Sequence, residues 1–75
     1  MDIDNFIQNF ADIFDDTPAS ALTPETSFRD LDEWSSLSVL GIIAMCDQTY
    51  DKELSLEELH RVNTIQELFD LLTAK

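Results

Sequence analysis

Glycine occurs once in this sequence (Gly41), proline twice (Pro18 and Pro24), cysteine once (Cys46) and basic residues four times in 75. Each scarcity excludes something. One glycine and two prolines are too few for an all-β chain built on many tight turns. A lone cysteine forms no internal disulfide, and with a single histidine, His60, it leaves too few ligands for a zinc site. Four bases against sixteen acids give a net charge of −12 at pH 7. That balance argues against nucleic acid or an anionic membrane as a direct partner, and for partners that present a basic patch. The longest apolar run, Val39 to Cys46, falls far short of the roughly 20 residues that span a bilayer. The N-terminus, Met-Asp-Ile-Asp, is acidic where a signal peptide needs bases. The expectation is a soluble, cytoplasmic, monomeric protein with no membrane insertion.

What is present is enough for a core. Hydrophobic residues make up 44% of the chain and include five phenylalanines, too many for a disordered segment. A chain of 75 residues reads as one domain over 1–75, too small to enclose a roomy substrate cleft as well.

Periodicity predicts helices throughout. Ile3, Phe6, Ile7, Phe10, Ile13 and Phe14 trace one face of a helix over Asp2 to Asp15. Asp2 and Asp4 suit its start, where the dipole favours negative charge. Thr17-Pro18 marks a boundary. A long connection, Asp16 to Trp34, holds both prolines; Leu22, Phe28 and Leu31 should pin it to the core, with room for a helical turn near Glu25 to Phe28. Ser35 to Tyr50 reads as the second helix, with Leu37, Leu40, Ile43, Ala44 and Tyr50 as its inward stripe. Val39, Ile42 and Met45 widen the apolar surface, so the helix is buried on several sides or offers a face to a partner. Gly41 in its middle costs about 1 kcal/mol relative to Ala and either permits a close approach or is tolerated. Ser55-Leu56-Glu57-Glu58 and Thr64-Ile65-Gln66-Glu67 are capping boxes. The first opens a short helix to His60. The second opens a final helix with Ile65, Leu68, Phe69 and Leu72 on one face, and Val62 packs inward between the two. The fold class is all-α: a small four-helix bundle, three longer helices and one short, with a long loop between the first two.

No residues assemble into an enzyme. Cys46 reads as a core thiol and His60 as a surface imidazole, so no nucleophile–base pair forms. The carboxylates lack a pocket that would shift a pKa, and Asp30, Asp32 and Glu33 lack the glycine of an EF-hand loop. No catalytic or metal site is expected. The local feature that stands out is Asp30-Leu31-Asp32-Glu33-Trp34-Ser35-Ser36-Leu37. A loop here delivers two serines to a helix start, where free N–H groups and the dipole favour a phosphate ester. From position alone a helix cap explains such a serine.

Over nearly the whole chain the sequence resembles the acyl carrier protein family. The resemblance rests on the order of helices, on Ser35-Ser36-Leu37 where the family has Asp-Ser-Leu, and on Tyr50-Asp51-Lys52-Glu53-Leu54. It continues through Glu57-Glu58 and Val62 to Glu67. It implies a non-catalytic carrier with 4′-phosphopantetheine, taken from coenzyme A, on Ser36, and with Ser35 as the cap. It implies a phosphopantetheinyl transferase as partner, with acyl- or aminoacyl-loading and transferring enzymes that dock through basic patches. Cargo as a thioester would serve fatty-acid, polyketide or related biosynthesis. Leu37, Val39, Gly41, Ala44, Met45, Asp47 and Glu57 become the docking or cargo-shielding candidates. Leu37 and Ala44 fit the core equally well, Val39 and Gly41 are expected at the surface, and the short helix is the movable wall.

The sequence departs from the family twice. Ser35 replaces the usual Asp, and Gly41 and Gln48 stand where fatty-acid carriers often have Glu. The first removes a charge beside the modified serine; the second, a weaker acidic stripe, suggests a dedicated partner set, and Trp-Ser-Ser-Leu is similar to the Trp-Asp-Ser-Leu of specialised carriers, D-alanyl carriers among them. The alternative is a small acidic helical interaction module in which Ser36 is only a helix cap.

Overall fold

The structure, a computed structural model, describes residues 2–75. Four helices lie among them: α1 (Ile3–Ala11), α2 (Ser36–Tyr50), α3 (Leu56–Arg61) and α4 (Ile65–Thr73). Two short 3₁₀ turns, Ala19–Ala21 and Phe28–Asp30, punctuate the long connection. The all-α bundle expected from periodicity is what forms, with α1 packed on both α2 and α4.

Helix starts follow the capping chemistry. The Asp2 side chain accepts the Asp4 N–H at 3.2 Å. Ser55 and Thr64 open α3 and α4 with complete capping boxes, their hydroxyls accepting from the N–H of Glu58 and Glu67 while those carboxylates accept in return. The loop adds to the last start: Ile65 and Gln66 donate their N–H groups to the Thr26 and Pro24 carbonyls at 3.2 and 2.8 Å. First-turn donors that have no partner within their helix thereby tie the long loop to α4.

Helix ends differ more from the sequence reading. α1 stops at Ala11 rather than Asp15. Ile13 and Phe14 donate to the carbonyls of Phe10 and Ala11, a tighter i→i−3 winding that still carries Phe14 into the core. The turn expected near Glu25 to Phe28 forms instead from Phe28, whose N–H is taken by the Asn63 carbonyl at 3.2 Å.

The larger correction concerns the inward face of α2. Ser38, Ile42 and Cys46 are its buried residues, whereas Leu37 and Leu40 are 79% and 63% exposed and Ala44 is exposed too. Ile43 and Tyr50 do pack against the core, but only half-buried. Apolar residues surround this helix, so their spacing carries no phase, and the inward position nearest its start is a serine. Val39 and Gly41, expected at the surface, are half-buried. A Cβ on Gly41 would meet Ile13 Cγ2 at 3.0 Å, so the glycine permits close approach of the α1 end to α2.

All seven aromatic rings form one chain of tilted contacts. It runs from Phe69 and Tyr50 through Phe6, Phe10 and Phe28 to Trp34, with Phe14 on Phe10. Edge-tilted pairs of this kind contribute about 0.5–1.5 kcal/mol each beyond burial. The chain ends at Trp34, two residues before Ser36, so the core reaches to the start of α2.

Candidate functional site

Ser36 is the first residue of α2 and is exposed. Ser35, not Ser36, holds the cap: its Oγ accepts the Ser38 N–H at 3.4 Å. That bond is long for its type. Ser38 adds a second tie, its buried hydroxyl donating to the Glu33 carbonyl at 3.0 Å. Ser36 makes neither bond, and among the described residues its hydroxyl has no hydrogen-bond partner; it stands at the positive end of a 15-residue helix.

Beside it opens an apolar cleft of about 480 Å³ lined by Trp34, Ser35, Ser36, Val39, Leu40, Leu56 and His60. Three large side chains are exposed around this end of the molecule, Leu37, Leu40 and, at 52%, Leu56. No acid lies in the first turn of α2; on that helix the carboxylate is Asp47, exposed farther along. Of the other residues singled out by the resemblance, Met45 is half-buried and Glu57 is exposed, pairing with Arg61 at 2.6 Å.

The cleft brings in Trp34, Leu40, Leu56 and His60, none singled out by itself as a site residue from the sequence, although Leu56 and His60 belong to the short helix expected to form the movable wall. Leu56 had a signal: it follows the cap of a six-residue helix whose inward position is already filled by Leu59. Cys46 is fully buried, and burial pushes its thiol up to about 11, so it stays protonated at neutral pH. His60 is exposed on the cleft rim.

α3 is held at both ends. The Arg29 guanidinium donates to the Leu59 and Val62 carbonyls at 2.7 and 2.6 Å and to Asn63 Oδ1 at 2.5 Å. Glu58 bonds Lys75 Nζ at 2.7 Å. No helix among the described residues is long and apolar enough to cross a membrane.

A free serine hydroxyl at a helix start, with an apolar cleft beside it, fits a covalently attached arm that ends in a reactive group. The family model for the phosphopantetheine attachment site matches residues 6–72. The acyl carrier protein of Rubrobacter xylanophilus is 30% identical over 73 residues, covering 93% of this chain and 90% of that protein. No solved structure matches. The chain belongs to the acyl carrier protein family, whose attached group is 4′-phosphopantetheine. Its biochemical class is therefore that of a phosphopantetheine-bearing carrier.

Proposed function

We propose that Ser36 is the serine that takes 4′-phosphopantetheine, and that the protein carries acyl or aminoacyl groups for a dedicated set of enzymes. The observation that carries this reading is the free, exposed Ser36 hydroxyl at the cleft mouth, with Ser35 turned to capping. In loading, Ser36 Oγ forms a bond to phosphorus as the pyrophosphate bond of coenzyme A breaks. Adenosine 3′,5′-bisphosphate leaves, and the hydroxyl proton passes to the transferase. The first-turn N–H groups of α2 then face the phosphodiester. Once attached, the arm supplies a terminal thiol that holds cargo as a thioester. The chain itself presents the arm and catalyses nothing. Residues 1–75 act as one monomeric, cytoplasmic carrier domain.

Leu37, Leu40, Ala44 and Leu56 form the docking face, with Asp47 and Glu57 on its acidic margin; Val39, Gly41 and Met45 support it from half-buried positions. A partner of matching chemistry has an apolar pocket rimmed by bases. Removing an exposed leucine from such a contact costs about 1–2 kcal/mol, so Leu37→Ala is expected to weaken partner binding about tenfold. The interaction-module alternative needs Ser36 as a cap, a place that Ser35 fills.

Incubation with coenzyme A and a promiscuous transferase, followed by intact-protein mass measurement, tests the assignment. Wild type and Ser35→Ala should gain one phosphopantetheine, and Ser36→Ala none. A wild type that stays unmodified while a control carrier loads would overturn it.

A further inference from the structure

Glu33 stands three residues before Ser36, and its carboxylate reaches back across the molecule. Oε1 accepts the N–H groups of Asp15 and Asp16 at 3.1 Å, Oε2 accepts that of Asp16 at 3.1 Å, and the Thr17 hydroxyl donates to Oε2 as well. These donors lie in the turn after α1. The main chain of the same residue faces the other way: its carbonyl accepts the buried Ser38 hydroxyl. One residue thus joins the α1 turn to the first turn of α2, and Trp34, Ser35 and Ser36 hang between the two attachments.

Two observations give this bridge a purpose. The Ser35 cap bond is weak at 3.4 Å, and helix ends with weak caps fray, so the frame around Ser36 needs another support. A carboxylate is also an unfavourable choice beside Asp15, Asp16 and Asp32 in a chain of net charge −12. It is held there because two backbone N–H groups and a hydroxyl point at it, while Asp15 and Asp16 themselves are exposed to solvent.

We propose that Glu33 is a positioning residue for phosphopantetheine loading: its bridge to Asp15, Asp16 and Thr17 holds the Ser36 hydroxyl in the place a transferase reads. The inference rests on Ser36 being the attachment serine. Without the bridge, the loading-competent arrangement becomes a fraction of the ensemble, and apparent affinity falls by that fraction.

The test compares wild type with Glu33→Ala, Glu33→Gln and Glu67→Gln, well below the melting temperature of every variant. Glu67 makes like contacts, to the N–H groups of Asn63 and Thr64, at the start of α4, and it does not line the cleft. Glu33→Ala should load about tenfold more slowly, through KM for the carrier. Glu33→Gln, which keeps one acceptor oxygen, should fall between it and wild type, and Glu67→Gln should load at the wild-type rate. Amide exchange provides a second readout, because Trp34 N–H bonds to the Leu31 carbonyl and Ser38 N–H to Ser35. Both amides should exchange about tenfold faster in Glu33→Ala and at the wild-type rate in Glu67→Gln. A Glu33→Ala protein that loads at the wild-type rate, or whose Trp34 and Ser38 amides exchange unchanged, overturns the proposal. Should wild type fail to load at all, the attachment assignment fails, and unchanged exchange in Glu33→Ala would still show that the bridge holds nothing.

Discussion

Asp51 closes α2 in the left-handed region, at φ 55° and ψ 40°. Its N–H donates to the Asp47 carbonyl and that of Lys52 to the Cys46 carbonyl, both at 3.1 Å, the pattern of a helix that usually ends on glycine. An L-residue in this conformation costs roughly 1 kcal/mol, and a carboxylate here also opposes the negative end of the dipole. Asp51→Gly is therefore expected to raise unfolding stability by about 1 kcal/mol, measured by urea denaturation. A second residue-scale expectation concerns Cys46. Its buried, protonated thiol should resist alkylation in the native protein at neutral pH and react on unfolding, leaving the thiol of the attached arm as the reactive one. Three carboxylates add a pH dependence. Donated hydrogen bonds hold Glu33, Glu58 and Glu67 below the usual carboxylate range: from Thr17, from Lys75 and Ser55, and from Asn63 and Thr64. Because the folded values are depressed, this stabilisation is complete above the unfolded value and is lost as pH falls through the folded ones. The melting temperature should drop below about pH 4, and the drop should be shallower in Glu67→Gln.

At the scale of elements, α3 is the part whose position the rest of the chain controls. Its inward residue is Leu59 and its last turn is held by Arg29, whose guanidinium also lies 5.3 Å from the Phe28 ring centre. Hydrogen bonds from a charged donor contribute about 1.5–3 kcal/mol, so Arg29→Met should destabilise the fold by about 2 kcal/mol and speed amide exchange in α3 before it affects α1. The capping boxes of α3 and α4 were legible because cap chemistry is local, within three residues. α1 was legible through its spacing, except for its last turn. The inward face of α2 was not, since Leu37, Val39, Leu40, Ile42 and Ile43 surround that helix and the decisive inward residue, Ser38, is polar. The family could be read from the Ser-Leu pair and the helix order. The Glu33 bridge and the Arg29 clamp could not, because their partners lie 16–18 and 30–34 residues away, a distance over which pattern carries no contact information.

At the scale of the whole molecule, charge is the governing quantity. All four basic side chains are engaged internally: Arg29 on the α3 end, Lys52 on the Lys75 carbonyl, Arg61 on Glu57 and Lys75 on Glu58. Among the described residues only Glu57 and Glu58 of the sixteen acids pair with a cationic side chain, and the mutual repulsion of the acids works against the compact state. Screening lengths shorten from about 30 Å at 0.01 M salt to about 8 Å at 0.15 M, so the melting temperature should rise with salt and further with magnesium. A value unmoved by either would show that charge repulsion does not limit stability. Unlike the first turns of α1, α3 and α4, that of α2 carries no acid. Tandem mass spectrometry of the coenzyme A-treated protein locates the attached arm by residue. Phosphopantetheine is expected on Ser36 alone; an adduct on Ser35, or on no serine of a folded protein, would overturn the assignment.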